Sequence, residues 1–428
     1  MRINELKEYL ASSEPDKQYE LLYGRERVEQ NKERYVRVAD SFFKTYGDAD
    51  ETAVLSVPGR SEISGNHTDH NHGRVIAASV DCDMIAVAAR GEGRSVRVKS
   101  DGYKEDCVDL DRLSPDCYPR YKSVALVAGM CAAFKNAGYE VGPLCAYTSS
   151  NVPKGSGLSS SAAFEVLVGT VINHLYNGGK VSPIEIAKFA KWAENNYFGK
   201  PCGLMDQTAC AVGGFVEIDF EDPDKPVCEK IDFDLTGMGY DLCIVNTGGS
   251  HADLNDDYAS IPREMKAVAA FFGKDVLRGV SEEDLLSNAR AIREKCGDRA
   301  FLRALHFVNE NDRVPEIASA MRHGDLDAFL QGIAASGDSS FKYLQNVFSP
   351  SSPSEQGETV ALYAAAHALA RFPRPGACRV HGGGFAGTMQ AFVPRLYTEA
   401  FRMEIDRVMG KGACSVMHVR PVGAVRFC

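Results

Sequence analysis

The stretch that most constrains the fold is the glycine- and serine-rich segment Val152–Ala163, Val-Pro-Lys-Gly-Ser-Gly-Leu-Ser-Ser-Ser-Ala-Ala. It follows an apolar run at 143–147 and precedes a helical pattern at 164–175. Gly155 and Gly157 allow a tight turn and a close approach of the backbone to a ligand. Serines stand where the helix begins, and free N–H groups and the helix dipole favour an anion there. The segment predicts a phosphate-binding loop; the alternative is a serine-capped helix after a glycine turn.

Two common nucleotide-binding motifs do not explain this chain. The Gly-x-x-x-x-Gly-Lys-Ser/Thr loop does not occur in it. A glycine loop near the C-terminus, Gly382–Gly387 and called the third glycine loop below, matches the Gly-x-Gly-x-x-Gly dinucleotide fingerprint, which must open a helix. Residues 388–394 instead have the pattern of a strand ending at a proline. We therefore interpret this match as accidental.

Length and composition favour a two-domain cytoplasmic protein. A chain of 428 residues exceeds one ordinary core. The acidic, proline-bearing piece 221–226 is the best boundary, which gives domains 1–222 and 223–428. A net charge of -10 without a basic block argues against nucleic acid and anionic membranes as partners. The thirteen cysteines form no Cys-x-x-Cys pair, and we find no signal or transmembrane segment, so reduced thiols in the cytoplasm are expected.

Hydrophobic periodicity predicts a mixture of strands and helices after a polar, helical region at 1–47. Predicted strands lie at 52–57 (stopped by Pro58-Gly59), 85–89, 96–98, 215–219, 240–246, 377–380, 389–393 and 415–421. Predicted helices lie at 123–136, 164–175, 183–197, 258–272, 282–296, 299–309, 316–335, 357–371 and 397–409.

The histidine-rich turn at 67–72 could be taken for a transition-metal site, because it holds three imidazoles and a carboxylate. Such close neighbours on a turn rarely converge on one ion. A metal hydrolase would also leave the phosphate loop unexplained.

Four stretches together resemble the galactokinase family, and their order and spacing match as well. They are Arg60–Asp69 (family Gly-Arg-x-Asn-Leu-Ile-Gly-Glu-His-Thr-Asp-Tyr), Val152–Ala163 (Pro-x-Gly-x-Gly-Leu-Ser-Ser-Ser-Ala), Pro201–Gln207 (Pro-Cys-Gly-Ile-Met-Asp-Gln) and Gly382–Gly387 (Thr-Gly-Gly-Gly-Phe-Gly-Gly). The resemblance covers about residues 30–428. It places the chain within the superfamily that also holds homoserine, mevalonate and phosphomevalonate kinases.

The resemblance implies an α/β (α+β) fold with two domains, the first S5-like and the second ferredoxin-like, and an active site in the cleft between them. It implies an ATP-dependent sugar 1-kinase that uses Mg²⁺. We expect ATP and a hexose as partners, and a monomer or a weak homodimer.

On the ATP side, the resemblance assigns the phosphate loop, the adenine pocket and the metal ligands. The expected ATP-binding residues are Gly155, Ser156, Gly157, Leu158, Ser159, Ser160, Ser161 and Tyr118. Ser161, or its neighbour Ser160, and Glu194 are the expected ligands of Mg²⁺, which takes few protein oxygens and keeps several waters. For Tyr118, core packing is the alternative to stacking on adenine.

On the sugar side, the resemblance makes Asp206 the general base, with Arg60 holding it ionised and stabilising the transferred phosphoryl group. A structural Arg60–Asp206 ion pair is the alternative. The expected sugar-binding residues are Asn66, His67, Asp69, Gly203 and Tyr258, the last by its spacing from His251.

Departures from the family motifs put the sugar in question. The family's Glu is Asn66 here, its Asn is Glu62 and its Tyr is His70, while His381 replaces Thr and Ala386 replaces Gly. Asn66 removes a negative charge, which would ease binding of a carboxylate. Galactose is expected first, with galacturonate and N-acetylgalactosamine as alternatives. A non-catalytic sugar sensor is the alternative of another class, although the complete serine loop and Asp206 favour an enzyme.

Overall fold

The computed structural model describes residues 1–153, 157–200, 202–249 and 254–428, and these form two β-sheets surrounded by helices. The eight strands of the larger sheet are β1 (Ala53–Ser64), β2 (Arg74–Arg90), β3 (Ser95–Ser100), β4 (Glu105–Asp109), β5 (Leu144–Ser150), β6 (Phe215–Asp219), β7 (Val227–Ile231) and β12 (Val425–Arg426). The four strands of the smaller sheet are β8 (Tyr240–Asn246), β9 (Ala377–Val380), β10 (Thr388–Pro394) and β11 (Cys414–Met417).

Helices occupy most of the remaining described chain. They are α1 (Ile3–Ala11), α2 (Asp16–Tyr23), α3 (Val28–Tyr46), α4 (Ser123–Asn136), α5 (Ser160–Tyr176), α6 (Pro183–Ala193), α7 (Met205–Val212), α8 (Asn255–Phe271), α9 (Glu282–Ser287), α10 (Ala289–Cys296), α11 (Asp298–Arg322), α12 (Leu326–Ser339), α13 (Gly357–Leu369) and α14 (Thr398–Met409). Two π-helical turns, 194–198 and 340–344, extend α6 and α12.

The larger sheet is covered on both faces. Its strand order is β12-β1-β2-β5-β3-β4, with β6 pairing to β2 and β7 to β6. Side chains alternate between the faces of a strand. Leu55 and Val57 accordingly pack with α4 to α7, while Val54 packs with α1 to α3. Burial on both faces explains why β1 and β2 are apolar for most of their length.

The smaller sheet is antiparallel, in the order β11-β8-β10-β9. Cys243 and Val245 pack on one face with α13 and α14. Leu242 and Ile244 pack on the other face in a cluster that also holds Ile63 of β1 and residues of α11 and α12. One apolar cluster therefore joins the two sheets and fixes β1 against the second half of the chain.

Four of the predicted elements have clearly different bounds in the structure. The prediction that Pro58-Gly59 ends the first strand is wrong, because β1 shifts register between Pro58 and Arg60 and stays paired with the long β2. The predicted helices 299–309 and 316–335 are also misplaced, since α11 passes through Pro315 and ends at Arg322. The predicted helix 282–296 is divided at Asn288 into α9 and α10.

The division at residues 222 and 223 stays a prediction. Beyond it, β7 pairs with β6 and β12 pairs with β1, so both return to the larger sheet. Within the described ranges, no helix combines the length and apolar character that crossing a membrane requires.

Candidate active site

The phosphate loop rests against β1 and opens α5. Gly155 and Ser156 lie outside the described residues. The Arg60 N–H donates to Leu158 O at 3.1 Å, and a Cβ on Gly59 would lie only 2.8 Å from that oxygen. Gly157 has φ +69°, and a Cβ there would lie 3.0 Å from His381 Nδ1. Glycine is therefore required at both contacts.

The start of α5 has the features of an anion site. The helix begins at Ser160, and the Ala163 N–H bonds back to Ser159 O at 3.1 Å. The N–H groups of the first turn precede the intrahelical bonds, and the dipole is positive there. The predicted serine-lined helix start is present, although its binding of phosphate stays a prediction.

Arg60 and Asp206 form a bidentate pair beside this loop. Arg60 Nε donates to Asp206 Oδ1 at 2.6 Å, and Nη2 lies 2.5 Å from Oδ2. The Ser159 hydroxyl donates to Asp206 Oδ2, and Arg60 Nη1 donates to Gly157 O. Asp206 stands in the first turn of α7 and its side chain is 30% exposed, whereas that of Arg60 is 8% exposed. The pair therefore fixes one accessible carboxylate next to the phosphate loop.

The Asp206 carboxyl is held ionised. Burial by itself would raise its pKa, but the Arg60 charge and the hydrogen bonds from Ser159 and Arg60 lower that pKa below its ordinary value. An ionised carboxylate accepts hydrogen bonds only. Asp206 is thus prepared to accept a hydrogen bond from a hydroxyl in the adjacent cleft.

A cleft of about 440 Å³ opens beside this pair and brings together six residues predicted from the sequence. Those six are Arg60, His67, Asp69, Gly203, Asp206 and Tyr258; the other lining residues are Glu62, His70, Lys200, Cys202, Met205, Gly382 and Gly383. The cleft lies between the two sheets' loops, with β1 and α7 on one side and the third glycine loop on the other. A Cβ on Gly203 would overlap Asp69 Oδ2, which explains the glycine.

The third glycine loop is hydrogen-bonded to the cleft residues. His67 Nε2 donates to Gly383 O at 2.9 Å, and the Tyr258 hydroxyl donates to Gly384 O at 2.8 Å. Burial lowers the pKa of His67 to about 4, so the ring is neutral at pH 7 with its proton on Nε2. His251, which suggested Tyr258, lies outside the described residues. Strand β10 follows the loop, which confirms that this is not a helix-opening dinucleotide fingerprint.

The structure differs from the expectation that Asn66 contacts the sugar. Asn66 is 0% exposed and its side-chain amide is bonded within the protein, to Gly382 O at 2.6 Å and from Asn346 Nδ2 at 2.7 Å. Glu62, four residues earlier, lines the cleft instead. The physical reason is that groups from the second half of the chain, Gly382 O, the Ser340 hydroxyl and Asn346 Nδ2, use the hydrogen-bonding positions of the Asn66 amide.

A second group of acidic residues lies around Gln207, on the α6 and α7 side. Gln207 Nε2 donates to Glu194 Oε2 at 2.9 Å and to Glu165 Oε2 at 3.4 Å. Glu194 Oε1 and Glu165 Oε1 are buried without a hydrogen-bond partner among the described residues. Burial and then the Glu194 charge raise the pKa of Glu165 well above its ordinary value. Two carboxylates therefore share one amide.

Comparison with known proteins identifies the family. Residues 40–90 match the galactokinase galactose-binding signature, and residues 125–214 match the GHMP kinases N terminal domain. The chain is 32% identical over 375 residues to a galactokinase of Streptomyces coelicolor, covering 86% of this chain and 91% of that protein. It is 30% identical over 369 residues to a galactokinase of Glaesserella parasuis, with coverages of 84% and 90%.

The chain belongs to the galactokinase family.

Solved structures agree with this membership. A Lactococcus lactis galactokinase, solved in complex with galactose, superposes with a TM-score of 0.77 at 26% identity and covers 90% of this chain and 98% of its own. A mevalonate kinase of Methanococcus jannaschii shares the fold, with a TM-score of 0.60 at 12% identity and coverages of 86% and 98%. The chain is thus a sugar phosphotransferase of the GHMP kinase type with a two-domain kinase fold, and its phosphoryl transfer is metal-dependent as in other ATP-using kinases.

In a galactokinase-family site, Glu194 Oε1 fits a cation: within the described chain it receives no hydrogen bond, and its ion-pair partner is the largely exposed Lys200, whose Nζ lies 3.7 Å away. A buried carboxylate oxygen that accepts no hydrogen bond can take a further cationic partner, and carboxylate and hydroxyl oxygens are the ligands that Mg²⁺ prefers. Glu194 supplies such an oxygen, and the serines at the start of α5 supply hydroxyls. The sequence reasoning missed Glu165, although a lone acid within the apolar run of α5 was a signal.

Two departures from the galactokinase motifs are accommodated locally. His381 is buried and its Nδ1 lies 2.9 Å from Thr388 Oγ1. In this loop positive φ angles occur at Gly382, Gly384, Gly387 and Phe385 (φ +63°), and Ala386 is not among them. Ala386 therefore avoids the strain that a Cβ would cause in the left-handed region.

Tyr118 lies apart from the cleft. Its hydroxyl accepts from the Asp109 N–H at 3.1 Å, and its ring packs against the core of the larger sheet. Its contact with adenine stays a prediction. Lys200 and Cys202 line the cleft but were not predicted, although Lys200 directly precedes the Pro201–Gln207 motif and Cys202 lies within it.

Proposed function

We propose that this protein transfers the γ-phosphoryl group of ATP to the anomeric hydroxyl of galactose, giving galactose 1-phosphate and ADP. The observation that carries the proposal is the Arg60–Asp206 pair. It stands between the serine-lined start of α5 and a cleft rich in hydrogen-bonding groups. Phosphoryl transfer depends on alignment and charge neutralisation more than on covalent help from the protein.

Asp206 is the proposed general base. Its carboxylate is ionised, partly exposed and fixed by two elements, so it can accept the proton of the anomeric hydroxyl as the new P–O bond forms. Arg60 keeps that carboxylate ionised. Its guanidinium also stabilises negative charge on the transferring group, because an arginine stays protonated and presents several donors.

The start of α5 is the proposed phosphate site. Backbone N–H groups of Gly157 to Ser161 would contact the β- and γ-phosphates, and by sequence Gly155 and Ser156, which lie outside the described residues, belong to the same site. Ser161 and Glu194 would hold Mg²⁺, which supplies neutralisation of the phosphate charges when bound. Glu194 Oε1, which accepts no hydrogen bond among the described residues, supports this assignment.

The cleft residues are the proposed sugar site. Asp69 and the Gly203 backbone face one another, and His67 and Tyr258 form the opposite wall with the third glycine loop. Short polar groups on rigid elements suit sugar hydroxyls. We place the activity in the cytoplasm, in keeping with thirteen free cysteines. We also propose a monomer or a weak homodimer.

The test is ADP release with Mg²⁺ and ATP over a panel of galactose, N-acetylgalactosamine, galacturonate, glucose and arabinose. We expect turnover with galactose above the others. Faster turnover of N-acetylgalactosamine or galacturonate than of galactose would change the proposed substrate but leave the proposed kinase activity standing. Binding of sugar and ATP without release of ADP from any sugar would instead identify a sensor.

A further inference from the structure

Glu62 and Asn66 carry the residue types that the family motif has in the opposite order. Where the family motif has Asn and then Glu, this chain has Glu62 and then Asn66. The two side chains touch, since Asn66 Nδ2 donates to Glu62 Oε1 at 3.0 Å. One carboxylate and one amide have therefore exchanged places within a single hydrogen-bonded unit, and the charge of the unit is retained.

The amide of this unit is unavailable to a ligand. Asn66 Nδ2 donates to Glu62 and to Gly382 O, while Oδ1 accepts from Asn346 and from the Ser340 hydroxyl at 3.2 Å. A side-chain amide has two donors and one oxygen with two lone pairs. All four positions are used, and no part of the residue is exposed.

Only one of the two oxygens of the Glu62 carboxylate is hydrogen-bonded among the described residues. Glu62 Oε1 accepts from Asn66 and from Arg379 Nη2 at 2.8 Å. Arg379 is itself fully buried and donates to Ile63 O at 2.7 Å, which fixes the pair rigidly. Within the described chain Oε2 receives no hydrogen bond, and Glu62 lines the cleft. An anchored carboxylate with one spare oxygen is a ready acceptor.

We propose that Glu62 recognises a sugar hydroxyl through Oε2 and thereby excludes sugars that carry an anionic substituent. The inference rests on the proposed function and names its substrate class: neutral hexoses. Glu62 joins Asp69 and Asp206, so three carboxylates line the cleft. A hydroxyl can donate to each of them, whereas a carboxylate on the sugar would lose its water and face like charges.

The cations of the cleft do not reverse this preference. Arg60 forms an ion pair with Asp206, and the buried Arg379 forms one with Glu62. Lys200 stands at the rim with its side chain 61% exposed, where solvent and salt screen its charge. The loss of charge at position 66 is therefore compensated four residues earlier, and it does not open the site to galacturonate.

The first test uses the unaltered protein. We expect kcat/KM for galactose to exceed that for galacturonate by at least about 100-fold, because a site built to bond a hydroxyl rejects a substrate that cannot donate. Comparable activity on galactose and on galacturonate would refute the proposed role of Glu62 but not the proposed function. Absence of ADP release from every sugar would overturn the proposed function instead.

The second test is Glu62→Gln, which keeps the shape and removes the charge. We expect the galactose-to-galacturonate ratio of kcat/KM to fall at least about 10-fold. Both sugars are assayed with the same preparation of the variant, so the folded fraction cancels in the ratio. The ratio is therefore insensitive to any loss of stability from leaving Arg379 unpaired. Glu221→Gln, at an exposed carboxylate whose side chain is 74% accessible, is the matched control and should leave the ratio unchanged.

Glu62→Asp is the variant to test if Glu62→Gln does not fold. It keeps the charge and the Arg379 partner but withdraws the carboxylate by one methylene, so KM for galactose should rise about 10-fold while galacturonate stays excluded. An unchanged ratio in Glu62→Gln, or an unchanged KM in Glu62→Asp, would show that Glu62 does not contact the sugar.

Discussion

Asp206 reaches the cleft through contacts with residues far away in sequence. Arg60 lies on β1, Ser159 on the phosphate loop and Asp206 on α7, yet the three side chains share hydrogen bonds. A carboxylate fixed in this way costs little reorganisation when a ligand binds, since its orientation is already set.

Asp206→Asn is expected to lower kcat by about 100-fold or more, because it removes the base and leaves the phosphate loop in place. ADP release under saturating substrates measures the loss, and nucleotide affinity measured by titration should change little. The exposed Asp232→Asn is the control. Turnover of Asp206→Asn within threefold of the unaltered protein would refute its role as base.

Gly203→Ala is expected to raise KM for the sugar by about 10-fold without changing KM for ATP. The added Cβ would overlap Asp69 Oδ2 and displace that carboxylate in the cleft. Sugar and ATP titrations of initial rate separate the two constants. In an Asp69→Ala background the same glycine substitution should have little further effect, since the group that it displaces is gone. Additive losses would contradict this explanation.

At the scale of elements, one buried carboxylate fastens the N-terminal helices to the larger sheet. Asp83 on β2 accepts from Arg34 Nη1 of α3 at 2.5 Å and from the hydroxyls of Tyr23 and Ser56. Arg420, near the C-terminus, approaches the same carboxylate at 3.3 Å. Burial opposes the charge of Asp83, but the two guanidinium groups hold its pKa below the ordinary value.

Asp83→Asn is expected to lower the free energy of unfolding by about 3 kcal/mol, because it leaves buried guanidinium groups uncompensated. Urea denaturation followed by circular dichroism measures the change. Asp111→Asn removes an exposed partner of Arg94 and should cost less than about 1 kcal/mol. Equal effects of the two substitutions would mean that the buried network contributes no more than a surface pair.

At the scale of the whole molecule, buried histidines make the fold sensitive to acid. Burial lowers the pKa of His67 to about 4 and that of His381 to about 3, and it lowers the pKa of His306 as well. In the unfolded chain these rings titrate near 6.5. Between those values the unfolded chain binds more protons than the folded one, so stability is complete above about pH 6.5 and decreases as pH falls.

The melting temperature should therefore fall between pH 7.5 and pH 5, with each such histidine contributing up to about 1.4 kcal/mol per pH unit. Thermal unfolding over this range measures the slope. His67→Gln retains a donor for Gly383 O and should flatten the dependence, whereas the exposed His323→Gln should not. A melting temperature independent of pH in this range would contradict the linkage.

Local signals in the sequence predicted many elements correctly. Ser182 and Glu185 form the predicted capping box with Pro183 at the first helical position, and Gly138 ends α4 with φ +81°. The strands at 215–219 and 240–246 are present with those bounds. These features depend on backbone sterics and on the period of apolar residues, which a short window of sequence contains.

Features decided by partners far along the chain were not predictable. Pro58 lies inside β1 because β2 continues to pair beyond it, and Pro315 lies inside α11 because packing between the two sheets outweighs one lost helical bond. The strands β4 and β7 were missed, since both are short and partly exposed.

By itself, the sequence determined which chemical groups this protein has available: a serine-lined helix start, the Asp206 carboxylate and a set of short polar residues. Only the tertiary structure decided which of two neighbouring polar residues lines the cleft. Glu62 lines the cleft and Asn66 is enclosed because Gly382, Asn346 and Arg379, all about 300 positions away, supply the hydrogen bonds that fix them. Such contacts follow from how the sheets pack, and a local sequence pattern does not predict them.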